Sequence, residues 1–560
     1  MTYDLLIKDA QVIDGTGSPA FSGDVAVKDG KIAEVGKVTE GATRVINARN
    51  QIVTPGFVDI HTHMDAQLLW DPLGTSSCWQ GITTMVIGNF SFSVAPCRPE
   101  DRYTVLHTLE RVEGMSLAAL TAGVDWSWES FPQYMDRLDR KLGLNVATLM
   151  GYSAVRQYAM GSAASDREAT PEEIASMQDI VRGGLKAGAF GVSFNFNKGH
   201  SGGDGRPVPS RLATFEEILS IAETLRGSRS AVIQINENPR QGSGAEPLDL
   251  CEEIAQLSGR PVWWIPLLQF FSQPGVWKKR LDYSAKQVAA GSLVRAMCTS
   301  RTVDVVFNMR NAHIFDTMPA WKNMLIRKPD EVMRDMRNTD VRAALQKDFD
   351  DQSMTLAFSR RWDMVEVVEV SNQKFKGLER RMISDLAAEQ GREPLDVFLD
   401  LCVEDNMDTL FLTILANGDE DAAGEILKAP HTLIGLSDAG AHAALECGYG
   451  FTTHLLGHWV RDKKLMPIEE AIRKLSSMLT DQLGLTDRGR IKVGQKADLN
   501  IIDPATVKML HPVAVNDFPA GARRYIQKAE GISNTIVNGQ VLMENGEHTG
   551  AFPGKLLRGH

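Results

Sequence analysis

Short apolar runs alternate with amphipathic segments through the middle of the chain. This alternation predicts buried strands followed by helices, and hydrophobic periodicity alone predicts about six strands. Two helix starts are well marked, because Thr170-Pro171-Glu172-Glu173 and Thr214-Phe215-Glu216-Glu217 form capping boxes. Repeated units of this kind predict an α/β fold with a parallel sheet. Eight stretches are candidates for these strands, and the full count depends partly on the resemblance given below: residues 57–63, 83–89, 145–151, 188–195, 231–237, 262–267, 303–309 and 432–438.

The two ends of the chain have a different pattern, with short apolar runs cut by turn residues. Around Asp29-Gly30, apolar residues alternate as in a hairpin. Residues 497–502 and 536–542 continue this pattern near the other end. We therefore predict one small β-sandwich domain from residues 1–55 and 485–560, and a second domain over 56–484. A long insertion at about 310–431 is expected to cover the site or to carry a subunit contact.

Composition and charge narrow the class of protein. Hydrophobic residues make up 43% of the 560 positions, which is typical of a globular chain. The formal net charge of −11 argues against a nucleic-acid surface. No apolar run is long enough to cross a membrane, and the N-terminus lacks the pattern of a secretory signal. The six cysteines are scattered without a CxxC pair, so a reducing cytoplasm is expected.

The clearest chemical signal is His61-Thr62-His63, which ends an apolar strand that begins after Pro55-Gly56. Side chains two apart on a strand point to the same side, so both imidazoles can reach one ion. A partner is present at Asp438, where another buried strand ends. A carboxylate there can bind the metal weakly and take a proton from water. Helix capping is the simpler role for Asp438, and His442 is expected either to contact substrate or to pack at a helix start.

These stretches resemble the amidohydrolase superfamily, and within it the D-aminoacylase (N-acyl-D-amino-acid deacylase) branch. The resemblance rests on residues 55–63, 437–442 and 489–503, and on Gly88-Asn89-Phe90-Ser91-Phe92 and Arg111-Val112-Glu113-Gly114-Met115. It implies eight strands in a (β/α)₈ TIM-like barrel with a β-sandwich from both termini. It also implies hydrolysis of an amide with the help of zinc.

The chain departs from that branch at three metal ligands. A cysteine ligand after strand two is replaced by Phe90, a histidine of strand five by Asn236, and strand six contains no histidine. We therefore expect one divalent ion, zinc in the first place, on His61, His63 and Asp438. A carboxylated lysine, Lys198 or Lys186, and an empty site are the alternatives.

The remaining candidates are expected to contact substrate. His200 lies on a loop after strand four, where a solvated loop histidine is the simpler interpretation. Phe90 and the aromatic residues near strand six indicate either a lipophilic substrate or a filled void. Asn236 is expected in the metal shell or at the substrate.

The predicted function is metal-dependent hydrolysis of an amide bond in an N-acylated small molecule. Asp438 acts as the general base, and Asn236, His200, Phe90 and His442 contact the substrate. The alternatives are a C–C lyase or decarboxylase on the same fold, or a metal-poor binding protein. A homo-oligomer is compatible with the long insertion.

Overall fold

The computed structural model describes residues 2–237, 247–310, 312–351, 354, 358–444 and 447–560. Two units divide the chain between them. The first unit comprises Met1–Leu267, Leu281–Arg301 and Gly424–His560, and the second comprises Leu268–Arg280 and Thr302–Ala423. The second unit thus overlaps the insertion predicted at about 310–431.

Strands from both ends of the chain form one nine-stranded sheet in the first unit. The two ends join where Leu499–Ile502 pairs antiparallel with Ile52–Pro55. The hairpin predicted at Asp29-Gly30 is present, and the φ angles of 51° and 73° are those of a two-residue turn. The nine strands are Tyr3–Val12, Phe21–Lys28, Lys31–Gly36, Ala42–Asn47, Ile52–Pro55, Leu499–Ile502, Ile532–Val537, Gln540–Glu544 and Glu547–His548.

Eight parallel strands of the first unit pair in chain order, and the last of them pairs with the first. All their residues are buried except Arg295 and Asp438, as expected of a parallel sheet covered on both faces. The predicted α/β class is thereby confirmed. The strands are Phe57–Asp59 with His61–Thr62, Ile82–Ile87, Asn145–Thr148 with Met150–Gly151, Gly191–Phe194, Val232–Ile235, Val262–Trp264, Val294–Cys298, and Leu433–Ile434 with Leu436–Ala439.

The seventh parallel strand is not the one predicted. Residues 303–309 were expected there, but Val294–Cys298 pairs with the sixth and eighth strands instead. Arg295 interrupts that apolar run in the sequence, and its guanidinium is accommodated by donating to the carbonyls of Ser292 and Val294. Val303–Phe307 belongs to the second unit, where it pairs antiparallel.

Helices follow most of the parallel strands. Both predicted helix starts are present, since the Oγ1 of Thr170 and of Thr214 each accept from the N–H three residues on. The helices of the first unit are Arg102–Glu113, Leu117–Gly123, Phe131–Leu138, Tyr152–Met160, Pro171–Ala187, Phe215–Glu223, Pro247–Ser258, Phe451–His454, Leu455–Asp462, Ile468–Leu475 and Ser477–Gln482. Val276–Ala289 and Glu420–Lys428 each run from one unit into the other.

The second unit has a core of its own, built around Phe315, Trp321 and Phe398. Its sheet has the order Val303–Phe307, Leu410–Ala416, Val365–Glu369, and all pairs are antiparallel. Its helices are Pro319–Leu325, Pro329–Asp335, Thr339–Asp350, Ile383–Gln390 and Pro394–Glu404. Among the described helices of both units, none combines the length and hydrophobicity needed to cross a bilayer.

Candidate metal centre

Three side chains converge where the first and eighth parallel strands end. Nε2 of His61 and Nε2 of His63 each lie 3.1 Å from Oδ1 of Asp438, and 3.2 Å from each other. The possible ligand atoms of the three residues all lie within 4.8 Å of one another. Two imidazoles and a carboxylate match a catalytic zinc site with three protein ligands. The donor set suits a divalent metal ion, and it consists of the three residues named from the sequence.

The backbone holds these strand ends in register. Leu436–Ala439 pairs with His61–Thr62, and the N–H of His63 donates to the last carbonyl of the eighth strand at 2.7 Å. Gly440 follows with a φ of 93°, and a Cβ at this position would lie 2.7 Å from the carbonyl oxygen of His63. Glycine is therefore required next to the cluster, which explains the Gly that follows Asp438-Ala439 in the sequence.

Burial and charge act in opposite directions on the three ligands. Burial raises the pKa of Asp438, but hydrogen bonds from His61 and His63 outweigh it and hold that pKa well below its usual value. Burial lowers the pKa of His61. Burial also lowers the pKa of His63, but the carboxylates of Glu113 and Asp438 outweigh it and raise that pKa to about 9. The cluster therefore concentrates negative charge around buried imidazoles, as a cation site requires.

Glu113 contacts the outer nitrogen of His63, and in the sequence it stands out only as part of the stretch 111–115. Its Oε1 lies 3.3 Å from Nδ1 of His63, and both side chains are 4% exposed. Burial is the main reason why its pKa is raised to about 7. A carboxylate that accepts from the outer nitrogen of a ligand histidine is the usual way of orienting such a ring. The signal for this role in the sequence was an acidic residue at the end of a helix, directly before Gly114.

Gln234 and Asn89 orient His61 and were also missed. Oε1 of Gln234 accepts from the N–H of Phe90 at 3.0 Å, and its Nε2 donates to Oδ1 of Asn89 at 2.6 Å. The Gln234 atom that lies 2.8 Å from Nδ1 of His61 is thus Nε2, which donates, and Nδ1 of His61 accepts. Neutral His61 then carries its proton on Nε2, facing Asp438. A metal ion held by Nε2 would require the proton on Nδ1 instead and the Gln234 oxygen facing that nitrogen, at the cost of the amide's present hydrogen bonds.

Phe90 lies directly against the cluster. Its ring is edge-on to His61 with centroids 4.9 Å apart, and stacked on His63 at 6.0 Å. Its φ of 49° is rare for a large side chain, and the hydrogen bond to Gln234 helps to hold it there. The ring therefore occupies one side of the histidine pair with apolar surface.

The other predicted contacts lie on three segments, which follow the fourth, fifth and eighth parallel strands. Asn236 is buried and uses its amide within the protein, donating to Oδ1 of Asn195 at 2.6 Å. His200 packs its ring on Phe90 and Phe92, with centroids 6.2 and 5.8 Å away. His442 follows the eighth strand in a turn rather than opening a helix, and its backbone N–H donates to the carbonyl of Glu113.

The alternative of a carboxylated lysine gains no support from the described residues. Lys186 lies on the helix Pro171–Ala187 and Lys198 on the loop after the fourth parallel strand, and both are exposed. His61 and His63 are buried, by contrast.

Residues 44–543 match the amidohydrolase family. Over 565 residues the chain is 26% identical to a D-aminoacylase of Alcaligenes xylosoxydans xylosoxydans, covering 99% of this chain and 97% of the relative. Over 560 residues it is 28% identical to an N-acyl-D-aspartate deacylase of the same organism, covering 99% and 95%.

Two solved structures show the same fold. A crystal structure of D-aminoacylase has a TM-score of 0.66 at 24% identity, covering 99% of this chain and 100% of the other. An N-acyl-D-glutamate deacylase from Bordetella bronchiseptica, complexed with zinc and a phosphonate inhibitor, has a TM-score of 0.67 at 22% identity, covering 100% of both chains.

Proposed function

The chain belongs to the amidohydrolase family, and we propose that it uses a divalent metal ion to hydrolyse the amide bond of an N-acylated small molecule such as an N-acyl amino acid. The observation that carries this proposal is the convergence of His61, His63 and Asp438. The curated relatives named as deacylases support the same type of bond. They give no support to a lyase, a decarboxylase or a binding protein.

The proposed scaffold is a closed (β/α)₈ barrel over residues 56–484, with a small β-domain from 1–55 and 485–560. The pairing of the eighth parallel strand with the first supports closure. The cluster lies at the carboxyl ends of these strands, which is where barrel enzymes carry their active sites.

Asp438 is the proposed general base. Its side chain is 34% exposed, whereas that of His61 is fully buried, so the carboxylate is the cluster member that meets water and substrate. It accepts a proton as the water oxygen bonds to the acyl carbon. It returns that proton to the nitrogen as the C–N bond breaks and the amine leaves. When bound, a zinc ion would polarise the carbonyl and acidify the attacking water.

One ion is proposed rather than two. Phe90 presents a hydrocarbon ring to the histidine pair, and the amide of Asn236 is engaged by Asn195. Within the part of the chain that the structure describes, His61, His63 and Asp438 form the one cluster of three potential ligands. Three protein ligands and a water are a sufficient catalytic shell.

The proposed substrate has an apolar part. A small cavity of about 40 Å³ lies beside Ser91 and Phe92. Phe92, Val105 and Leu109 contribute apolar walls, with several Ser and Thr hydroxyls between them. Asp204 is the one ionisable residue among its described lining, and it is paired with Arg206. Such a cavity favours an acyl chain over a charged side chain.

A reducing cytoplasm and a small-molecule partner complete the proposal. All six cysteines are buried and free of disulfides, which is typical of a reduced compartment.

Metal content per chain, measured by elemental analysis without added chelator, tests the proposal. We expect about one ion in the wild type and loss of that ion in His61→Ala. His107→Ala is the matched control, since this histidine pairs with Glu110 away from the cluster. Asp438→Asn should abolish hydrolysis of N-acyl amino acids. A metal-free wild type, or full turnover by Asp438→Asn, would contradict the proposal.

A further inference from the structure

Two amides beside the cluster have their orientation set by backbone donors. Oδ1 of Asn236 accepts from the N–H of Phe196 at 2.9 Å and from the N–H of Glu237 at 2.7 Å. Because both partners are donors, the oxygen and nitrogen of this side chain cannot exchange places without losing two hydrogen bonds. Nδ2 of Asn236 must therefore point towards Oδ1 of Asn195, 2.6 Å away.

The same reasoning fixes Asn195. Its Oδ1 accepts from Asn236 and also from the N–H of Asn197 at 3.0 Å. Its Nδ2 is then the atom that lies 2.7 Å from Nδ1 of His200. An amide nitrogen only donates, so Nδ1 of His200 accepts. The neutral imidazole consequently carries its proton on Nε2.

The ring of His200 lies close to the metal centre, with Phe90 between them. Its ring packs against Phe90, which itself lies against His61 and His63. The residue is half-buried, and within the described part of the chain Nε2 forms no hydrogen bond. Asn195 thus fixes the Nε2–H of His200 within an aromatic surface, where a bound molecule can accept a hydrogen bond from it.

A hydrolase with one ion gains from a second electrophilic group. Negative charge develops on the carbonyl oxygen of the amide as water adds, and a donor aimed at that oxygen lowers the barrier. We propose that His200 is a catalytic residue whose Nε2–H donates to the carbonyl oxygen of the scissile amide, and that Asn195 and Asn236 are positioning residues that hold it in this tautomer. This inference rests on the proposed function.

Burial and the surrounding charges keep this imidazole neutral. Burial, followed by the charges of His442 and His63, lowers the pKa of His200 to about 4, while Asp438 acts in the opposite direction. Arg211, whose guanidinium donates to the His200 carbonyl, lowers that pKa further. A neutral ring at physiological pH donates from Nε2 without repelling a bound metal ion.

The tautomer is tested directly by NMR. Two-bond ¹H–¹⁵N spectra of deuterated protein labelled in histidine, with His200→Gln for assignment, report which ring nitrogen carries the proton. We expect Nε2–H in the wild type at pH 8.5. In Asn195→Asp a carboxylate oxygen faces Nδ1 and should draw the proton to that nitrogen. A wild-type His200 protonated on Nδ1 would overturn the inference, whatever the activity.

Kinetics test the role in the reaction. His200→Ala and Asn195→Asp should each lower kcat by about 10²-fold at pH 8.5, the usual effect of losing one donor to an oxyanion, with little change in KM. Asn197→Asp is the control, because it adds the same charge on the same loop, and the side-chain oxygen of Asn197 accepts from the N–H of Gly199 without contacting the His200 ring. Retention of kcat within threefold in His200→Ala would refute the role of His200 alone. A wild type that hydrolyses no N-acyl amino acid would instead overturn the proposed function.

Discussion

Replacing Glu217 by glutamine is expected to leave a buried guanidinium without its counter-ion. Arg156 and Glu217 are both fully buried, and Nε lies 2.9 Å from Oε1. The hydroxyl of Tyr152 also donates to this carboxylate, at 2.6 Å. The guanidinium further donates to four backbone carbonyls, those of Ala164, Arg167, Pro209 and Leu212. It therefore joins the segments on both sides of the loop that carries His200.

The size of the effect follows from the geometry. At 2.9 Å, two unit charges attract by about 6 kcal/mol at an effective dielectric constant of about 20. Glutamine keeps one acceptor and the four carbonyls still solvate Arg156, so the loss is smaller. We expect Glu217→Gln to lower the local free energy of unfolding by about 3–5 kcal/mol, as when one partner of a buried pair is removed.

Hydrogen exchange measured by mass spectrometry reports this loss on the segments concerned. Amides in residues 152–165 and 207–223 should exchange roughly 10²- to 10⁴-fold faster, since 1.4 kcal/mol is a factor of ten. Asp179→Asn is the control, because its pair with Arg182 has side chains 78% and 55% exposed. Such a pair contributes at most about 1 kcal/mol. An acceleration below tenfold in Glu217→Gln, or equal effects in both variants, would refute the reasoning.

Two further predictions concern a buried lysine and the cavity. Burial lowers the pKa of Lys474 to about 8, against about 10.4 when unfolded, so the folded state binds fewer protons between these values and stability rises with pH there. In urea unfolding, the free energy of unfolding of the wild type should rise by about 2 kcal/mol relative to that of Lys474→Met between pH 7.5 and 10. A difference between the two proteins that does not change with pH would contradict this. Thr108→Phe narrows the cavity and should raise KM about tenfold for an N-octanoyl substrate, because about two methylenes of the acyl chain are then no longer buried. The KM for the N-acetyl substrate should not change. Equal changes in KM for both substrates would argue against an acyl pocket.

Residues close together in the chain were predictable, and those joined by tertiary pairing were not. His61 and His63 share one strand face, so their spacing alone predicts a common ligand site. Asp438 ends an apolar run, which predicts its place at a strand end. Glu113 and Gln234 reach the same histidines from a helix end and another strand, and no local pattern ties either residue to them.

The wrong prediction of the seventh parallel strand has a similar cause. Residues 294–298 and 303–307 are both short runs of the kind that form strands, and only the neighbours available in the folded chain decide which run pairs in parallel. Arg295 makes residues 294–298 look less apolar in the sequence than they are in the folded protein, where this strand is largely buried. Asn236 illustrates the converse case: its position beside the site was predictable, but its hydrogen bonds to two backbone N–H groups were not.

The sheet shared by both ends of the chain imposes an order on biosynthesis. Ile52–Pro55 leaves the ribosome long before its partner Leu499–Ile502 is made. Until then one edge of the N-terminal strands remains unpaired, and an open edge is a template for association with other nascent chains. Contacts between such distant parts of a chain also form slowly. The N-terminal strands of the growing polypeptide therefore keep an open edge until synthesis delivers the strand that covers it.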